Sequence, residues 1–341
     1  MYKNMGTIDA GVVAMPSTRA QGVPTFDAQG VAAGGAFLIS ELAKRDPMIR
    51  KPLDSFTYPR DIVVEVGGGW ADYVEAMSVQ YGITGGSGAS PVQAGGSNGL
   101  PIVQASYDKG IFKAHAFATA LRVMWQDMQR ANFVGRSLDQ VLQDGVRKAY
   151  DKHMDQNVYV GLPEYGSTGL INDANVTETT AAVGLGGTTE WTTKTPDEIL
   201  NDINQALTSA WASAEYDESA MPNHILIPYE QYTYLVNNRV SQLAEKSILT
   251  YLLENNIAKN QGRDLFIAGV RWAKGAGTSG TDRMIVYCND RRFVKVDELV
   301  PLTRAMTQPS ATNFCYDTAY AANLTEVQIA YPQTMLYVDG I

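Results

Sequence analysis

Residues 57–121 constrain this chain most, because they cannot fold as an ordinary self-contained domain. The runs 57–66, 70–82 and 101–117 have the composition of strands, and the intervening residues 83–99 are rich in glycine and serine. A long ribbon with a glycine-rich end is marginally stable alone in water. Its exposed edges also invite pairing unless another surface covers them. We therefore expect neighbouring copies of the chain to supply that surface.

The bulk composition is compatible with extensive protein contacts. The chain has 341 residues, enough for two compact domains or one domain with large insertions. It is 45% hydrophobic but only 18% charged, whereas soluble domains average about 25% charged residues. A surface largely occupied by protein contacts fits these values, and an enzyme with a neutral surface fits them equally well.

The charge balance argues against tight binding of nucleic acid. The net charge is −9 and the sequence pI is near 4.9. Tight basic pairs such as Lys44-Arg45, Arg50-Lys51 and Arg291-Arg292 are few, too few for the clustered basic face of a duplex-binding protein. Any contact with DNA is therefore expected to be loose.

The cysteines and the termini give expectations about the compartment. Cys288 and Cys315 lie in apolar runs, so we predict buried free thiols in a reducing cytosol. Residues 1–16 lack the charged start and apolar run of a signal peptide. No stretch approaches the roughly 20 apolar residues that span a bilayer, so no membrane association is expected.

The first half of the chain has one strong helical signal. Residues 1–35 show neither a helical nor an alternating period, and 36–46 read as a short helix that ends at Pro47. Residues 137–160 predict a helix about 35 Å long, and a weaker helix is expected at 123–132. The long helix is marked by a capping box at Ser137 and Gln140 and by an apolar stripe; the stripe comprises Leu138, Val141, Leu142, Gly145, Val146, Ala149, Tyr150, Met154 and Val158.

The second half predicts a compact α/β unit followed by a β segment. Thr195, Pro196 and Glu198 mark the start of a capped helix. Around that helix, short strands and helices alternate. The predicted strands are 168–173, 223–228, 264–273 and 283–289, the predicted helices are 229–236 and 246–256, residues 181–191 are a connection, and 291–306, 314–324 and 326–338 are predicted to be β.

The sequence contains no recognised catalytic, cofactor-binding or metal-binding motif. The three histidines, His115, His153 and His224, lack metal-ligand spacing. No dinucleotide fingerprint, P-loop or nucleophile elbow is present, and neither cysteine has local evidence for a partnering histidine. Asp297 and Glu298 are expected to be solvated, with a carboxylate dyad left open. Gly67 to Gly69 are interpreted as a bulge or kink. We predict no catalytic, cofactor or metal site.

Several segments resemble the major capsid proteins of tailed phages, in the family related to encapsulins. The order of parts matches over nearly the whole chain: an arm, a short helix, an extended loop, a long helix, an α/β unit and a closing β segment. The segments that carry the resemblance are DPMIRKPLDSFTYPRDIVVEVGGGWADYVE (46–75), GLIND (169–173), TPDEILNDINQAL (195–207), PNHILIPYEQYTYL (222–235) and YPQTMLYVDGI (331–341).

This resemblance implies an α+β fold, the tailed-phage major capsid fold. The implied domains are an N-terminal arm (1–35), a first helix and lead-in (36–55), an extended β-loop (56–112), a peripheral domain with the long spine helix (113–165), an α/β axial domain (166–290) and a closing β segment (291–341). In that family the arm and the extended loop lie across neighbouring subunits.

The implied function is structural rather than enzymatic. Hexamers and pentamers of the chain would form an icosahedral shell, the virion capsid, assembled in the host bacterial cytoplasm. The shell would hold double-stranded DNA by weak non-specific contact. Portal, scaffold and decoration proteins are implied as further partners.

Two other functions fit parts of the sequence. An encapsulin-type nanocompartment would hold a cargo enzyme, but encapsulins begin close to the first helix, and the roughly 35-residue arm before Ala36 favours the phage assignment. A cytosolic enzyme with an unrecognised site would use the tip of the ribbon as a mobile lid. The size of the purified protein separates these functions.

We predict that subunits are not cross-linked covalently. Some phages of this family join a lysine on the extended loop to an asparagine of a neighbour, but residues 82–100 contain no lysine, and Lys109 and Lys113 lie further back. Mature particles boiled in detergent should therefore release a single band near 37.1 kDa. A ladder of multimers that survives reduction would show that Lys109 or Lys113 forms a link.

Overall fold

A computed structural model describes residues 55–84, 102–134, 138–241 and 246–341. The arm, the predicted helix 36–46 and the tip of the ribbon lie outside these residues. The helices are α1 (Tyr58–Asp61), α2 (Trp125–Val134), α3 (Leu138–Tyr159), α4 (Pro196–Ser213), α5 (Tyr229–Asn237), α6 (Ile248–Asn255) and α7 (Ile257–Asn260). The strands are β1 (Val63–Val66), β2 (Tyr73–Thr84), β3 (Ile102–Met124), β4 (Thr177–Thr180), β5 (His224–Ile227), β6 (Phe266–Gly269), β7 (Arg283–Tyr287), β8 (Val294–Ser310), β9 (Cys315–Thr325), β10 (Gln328–Ile329) and β11 (Leu336–Asp339). Short 3-10 helices lie at Pro163–Tyr165, Trp191–Thr193, Glu218–Ala220, Arg271–Ala273, Thr278–Gly280 and Pro332–Thr334.

The first sheet has the strand order β1-β8-β9-β3-β2, with β10 also paired to β8. Its strand β3 has two partners in succession. From Ala114 to Met124, β3 pairs with β9, and from Ile102 to Lys113 it pairs with β2. The β2–β3 ribbon is therefore an outgrowth of the sheet, carried by one continuous strand. Twelve residues of β2 make it about 40 Å long.

Two sequence predictions in this sheet need correction. Residues 57–66 were predicted to be one strand, but α1 precedes β1 because Pro59 supplies the fixed backbone angle of a first helical turn. The return strand extends to Met124, beyond the predicted 101–117, and α2 begins at Trp125. The extension follows from alternation: Phe117 and Leu121 face inward, whereas the alanines between them face outward.

The long helix α3 is confirmed, and its burial increases toward its C-terminus. Tyr150, Met154 and Val158 are buried among residues of β8 and β9. The stripe predicts that Leu142, Val146, Ala149 and Tyr150 are buried against the β segment after Arg291. Tyr150 is buried, Leu142 and Val146 are half-buried and Ala149 is exposed, so the prediction is wrong for Ala149. The predicted capping box at Ser137 and Gln140 lies outside the described side chains.

The second sheet has the order β4-β11-β7-β5-β6 and is covered on both faces. Ile225 and Ile227 pack in the cluster around α4, while Leu226 between them packs in the cluster that includes α3. This alternation follows from the two-residue period of a strand. The predicted capping box of α4 is confirmed, because the Thr195 side chain accepts from the Glu198 amide and the Glu198 side chain from the Thr195 amide. The C-terminal strand β11 lies inside this sheet, between β4 and β7.

Residues 168–173 were predicted to be a strand and instead cap α3. The amides of Leu170 and Ile171 donate to the carbonyls of Val158 and Tyr159 at 2.9 and 3.2 Å, which satisfies carbonyl groups at the end of the helix. Gly169 is required at this approach, because a Cβ there would lie 2.3 Å from the Tyr159 carbonyl oxygen. The strand forms later, at Thr177–Thr180.

We predict that Ile203→Ala destabilises the unassembled subunit by about 2–5 kcal/mol, because Ile203 is fully buried in the α4 cluster. Gln205→Ala, an exposed position on the same helix, is the matched control and should change stability by less than about 0.5 kcal/mol. Urea unfolding measures both. Equal effects of the two substitutions would contradict the assigned core.

Candidate assembly surfaces

His115 and His153 lie between β3 and α3. The His153 ring packs 5.0 Å from Phe117, and the His115 ring packs 4.9 Å from Tyr165. His115 Nε2 is buried with no hydrogen-bond partner among the described residues. Burial lowers the pKa of both histidines, so both rings are neutral at pH 7 and contribute packing.

His224 lies at the start of β5 in a different setting. Its Nδ1 is 3.1 Å from Asn223 Oδ1, and its Nε2 is 3.1 Å from Asn289 Nδ2. The ring packs against Phe266 and Tyr287. Burial lowers its pKa to about 4. In the part of the chain that the structure describes, no group of three or more histidines, cysteines and carboxylates is arranged to hold a metal ion.

The two cysteines are free and buried, as the sequence predicts. Burial raises the pKa of the Cys288 thiol, which disfavours the reactive thiolate. Cys315 is the first residue of β9, and its Sγ lies 3.7 Å from Asp317 Oδ1.

Asp297 and Glu298 are structural, and the expectation that both are solvated is wrong for Asp297. Asp297 is buried and accepts hydrogen bonds from Gln328 at 2.8 Å and from Lys295 at 3.3 Å. Glu298 accepts a hydrogen bond from the Tyr150 hydroxyl at 2.5 Å. Burial, followed by this bond, raises the pKa of Tyr150. Because neighbouring residues of β8 point to opposite faces, the two carboxyl groups do not form a dyad.

Gly67, Gly68 and Gly69 form the predicted kink. All three have positive φ, at 129°, 125° and 73°, a conformation that glycine adopts without a steric penalty. Gly67 and Gly69 still donate to carbonyls of β8. A Cβ on Gly68 would lie 2.6 Å from Leu299 Cδ2. The kink redirects the chain from β1, beside β8, to β2, beside β3.

One face of the β2–β3 ribbon is strongly apolar and uncovered by any described residue. Its large side chains are between 40% and 77% exposed. We call this the apolar face; its large members are Tyr73, Met77, Val79, Tyr81, Val103, Tyr107 and Ile111. Together they expose on the order of 700 Å² of largely apolar surface. Contiguous patches of that size mark interaction sites.

The opposite face of the ribbon has small or polar side chains. We call this the polar face; between its half-buried base and its far end it comprises Ala76, Ser78, Gln80, Gly82, Gln104, Ser106, Asp108 and Gly110. Val74 and Phe112 lie at its base, and Ile102 lies at its far end. The two faces of one ribbon thus have different solvation requirements.

The base of the ribbon is fixed to the body by polar contacts. The Lys113 amide donates to Glu326 Oε1 at 2.9 Å, and Lys113 Nζ donates to the Tyr165 carbonyl at 3.3 Å. The Ala114 amide donates to the Asp72 carbonyl at 2.9 Å. Further out, Lys109 pairs with Glu75 at 2.8 Å. Both lysines considered for cross-linking therefore have partners within the subunit.

A second exposed apolar group lies at the β8–β9 turn. Phe314 packs 5.1 Å from Trp125, and the Trp125 amide donates to the Phe314 carbonyl. Phe314 has a φ of 51°, which is unusual for a bulky residue. Met306 and Tyr316 extend this group and are also exposed.

Sequence reasoning located the ribbon but missed its two faces. The alternation of large and small residues in 73–81 was a sufficient signal for β2. The face of β3 also requires the register that pairs Tyr73 with Lys113. The contact between Trp125 and Phe314 joins residues far apart in sequence, so no local sequence pattern predicts it.

We predict that stability falls as pH falls, in part through His224. Because the folded pKa of about 4 lies below the ordinary value of 6.5, the unfolded chain takes up this proton first, and stability is lost below pH 6.5. Between pH 7 and pH 5 the loss from His224 should be about 2 kcal/mol. His224→Gln should unfold in urea with a correspondingly weaker dependence on pH, whatever its stability at pH 7. An unchanged pH dependence would contradict this assignment.

The fold is similar to that of solved phage capsids. The capsid of Myoviridae phage XM1 matches with a TM-score of 0.73 and 16% identity, covering 89% of this chain and 98% of that chain. The capsid of a native GTA particle matches at 0.62 and 10%, covering 92% and 99%. A Microbacterium phage Oxtober96 chain matches at 0.58 and 15%, covering 87% and 92%. At these identities the likeness establishes the fold. No curated protein sequence matches the chain.

The family is established by sequence. The model of the Major capsid protein family matches residues 88–341, which include the second strand of the ribbon, the long helix, the remaining strands of the first sheet apart from β1 and β2, and the whole second sheet with the C-terminal strand. No described helix has the length and apolar character needed to cross a membrane. The chain therefore belongs to the major capsid protein family, has the fold of phage capsid subunits, and is a shell-forming structural protein.

Proposed function

We propose that copies of this chain assemble as hexamers and pentamers into the icosahedral shell of a tailed phage, enclosing double-stranded DNA. The observation that carries the proposal is the ribbon, whose apolar face the described residues of its own subunit leave exposed. Membership of the major capsid family identifies other copies of the chain as the partner. Hexamers and pentamers require similar contacts at slightly different angles.

We assign the domains as the resemblance implies. Residues 1–35 are the arm and 36–55 the lead-in. Residues 56–112 are the extended loop, which corresponds to α1, β1 and most of the ribbon. The peripheral domain is 113–165, the axial domain is 166–290, and 291–341 close both domains, which is supported by β8 in the first sheet and β11 in the second.

DNA is proposed to be held by weak, non-specific contact. The net charge of −9 supports this. So do exposed basic residues that already pair with acids: Arg122 with Asp317 at 2.7 Å, Lys109 with Glu75 at 2.8 Å and Arg292 with Asp290 at 3.1 Å. Portal, scaffold and decoration proteins are proposed as further partners. Assembly is assigned to the host bacterial cytoplasm, where free thiols such as Cys288 remain reduced. The proposed role is structural, and we assign no catalytic activity.

An encapsulin-type compartment with a cargo enzyme is the alternative shell function. The similarities to the phage XM1 capsid and to other phage capsids favour the phage assignment. The contents of the shell distinguish the two functions directly.

We predict that particles from infected or induced host cells contain double-stranded DNA that resists added nuclease and is released when the particles are opened by heat. Electron microscopy of the same sample should show closed icosahedral shells. Particles made by the chain expressed alone serve as the control, because they form without a genome to package. Closed native shells that contain one co-purified enzyme and no DNA would overturn the phage assignment.

A further inference from the structure

We propose that the ribbon docks onto a neighbouring copy of this chain through its apolar face alone, while its polar face stays in contact with water. This inference rests on the proposed shell function. It adds which side chains form the contact and which face of the ribbon is turned away from it.

The register of the strands defines the two faces. Tyr73 pairs with Lys113, Val79 with Tyr107 and Ile83 with Val103. Directly opposed residues of an antiparallel pair lie on the same face, and successive residues of a strand alternate. The exposed large side chains of β2 from Tyr73 to Tyr81 therefore share a face with Tyr107 and with its counterparts on β3, whereas the half-buried Val74 lies at the base of the polar face.

The exposed area of the apolar face is large enough for a stable contact. On the order of 700 Å² of largely apolar surface approaches the roughly 800 Å² per partner that a standard interface buries. Tyrosine, methionine and isoleucine supply most of it, and tyrosine and methionine are enriched at interfaces. The polar face offers serine, glutamine and aspartate, whose burial without partners costs free energy.

The charges on the apolar face indicate the occupant. Glu75 and Lys109 oppose Ile111 and Met77 and pair with each other at 2.8 Å, so their charges cancel within the face. Lys113 lies at the base of this face, where its Nζ donates to the Tyr165 carbonyl of the body. Beyond the base the face carries no net charge, which fits an uncharged protein surface and gives little attraction for a nucleic acid, whose binding depends on unpaired basic groups. A shell of this family supplies such a surface as a second copy of the chain.

The ribbon's own subunit does not supply the covering surface within the described residues. Pairing with β9 stops at Ala114, and the ribbon continues beyond it with β2 as its partner. The exposed fractions of Met77, Tyr81 and Tyr107 are 65%, 77% and 68%. Met77 and Tyr81 lie on either side of Val79 on the same face of β2, and Tyr107 on β3 opposes Val79 between them, so the uncovered surface runs along the ribbon.

Single cysteines on adjacent residues test the inference. Tyr107 lies on the apolar face and Ser106 on the polar face, and both are exposed in the subunit. The native thiols of Cys288 and Cys315 are buried and give a low background. Tyr107→Cys and Ser106→Cys are treated with a water-soluble maleimide as free subunits and as assembled particles, with Met77→Cys and Ser78→Cys as a second pair on β2.

Both cysteines should react at similar rates in the free subunit. In particles, the cysteine at position 107 should react at least tenfold more slowly, and the cysteine at position 106 should react as before. Protection of 106 with reactivity at 107 overturns the inference, and so does equal protection or equal reactivity of both. Protection at 107 that appears in DNA-filled particles and is lost in empty ones would identify DNA as the occupant and also overturn it.

The outcome is separable from failure of the shell function. If the unmodified chain forms no particles, the shell function fails before any labelling. If particles form and the two faces label alike, the shell function stands and the face assignment is wrong. Substitutions that block assembly are replaced by the second pair of positions, with native mass spectrometry confirming a folded subunit.

Discussion

A two-stranded ribbon has no second layer of its own, and this constraint organises the rest of the molecule. Its apolar side chains cannot meet across a core, because both strands belong to one sheet. The ribbon therefore needs an anchor that fixes its direction and a separate surface that covers it. Strand β3 provides the anchor by continuing from β2 to β9 without interruption. The three glycines at 67–69 let β2 begin beside β3 instead of beside β8.

Buried polar groups of α3 tie the helix to the segment around α1 and to the turn that follows β6. Asp155 of α3 is almost fully buried and accepts from the Thr57 amide, Arg271 and Trp272, at 2.9, 2.9 and 2.8 Å. The Tyr159 hydroxyl, at the end of the helix, donates a hydrogen bond to Asp61. Removing one partner of such a buried group generally costs about 3–5 kcal/mol. These bonds connect α1, which precedes the ribbon, with the long helix and with the turn at the end of β6 in the second sheet.

The sequence was most informative where a pattern is local. The capped start of α4 at Thr195 and Glu198, the buried strand His224–Ile227 and the length of α3 all follow from short-range signals. It was least informative where a distant contact decides the structure. Leu170 and Ile171 resemble a strand, yet their amides are used by the carbonyls of α3. The sequence around Asp297 is typical of a surface acid, but in the structure Asp297 is buried and accepts hydrogen bonds from Gln328 and Lys295.

The candidate surface shows the same division. Alternation in β2 predicts that its large side chains share a face, but only the register with β3 adds Tyr107 and Ile111 to them. The resemblance to capsid proteins indicated that the partner is another copy of the chain, because the sequence of a single chain does not by itself identify its partner. The need for a neighbour is itself physical, because so much exposed apolar surface is unfavourable in water.

Hydrogen exchange tests the central claim most directly. A ribbon with two strands and no cover opens readily in water, so the amides of β2 and of β3 before Ala114 should exchange quickly in the free subunit. In assembled particles the same amides should exchange far more slowly, while those of β7, already buried on both faces, should change little. Equal exchange of the ribbon amides in subunits and particles would contradict the claim that the ribbon is completed by a neighbouring copy.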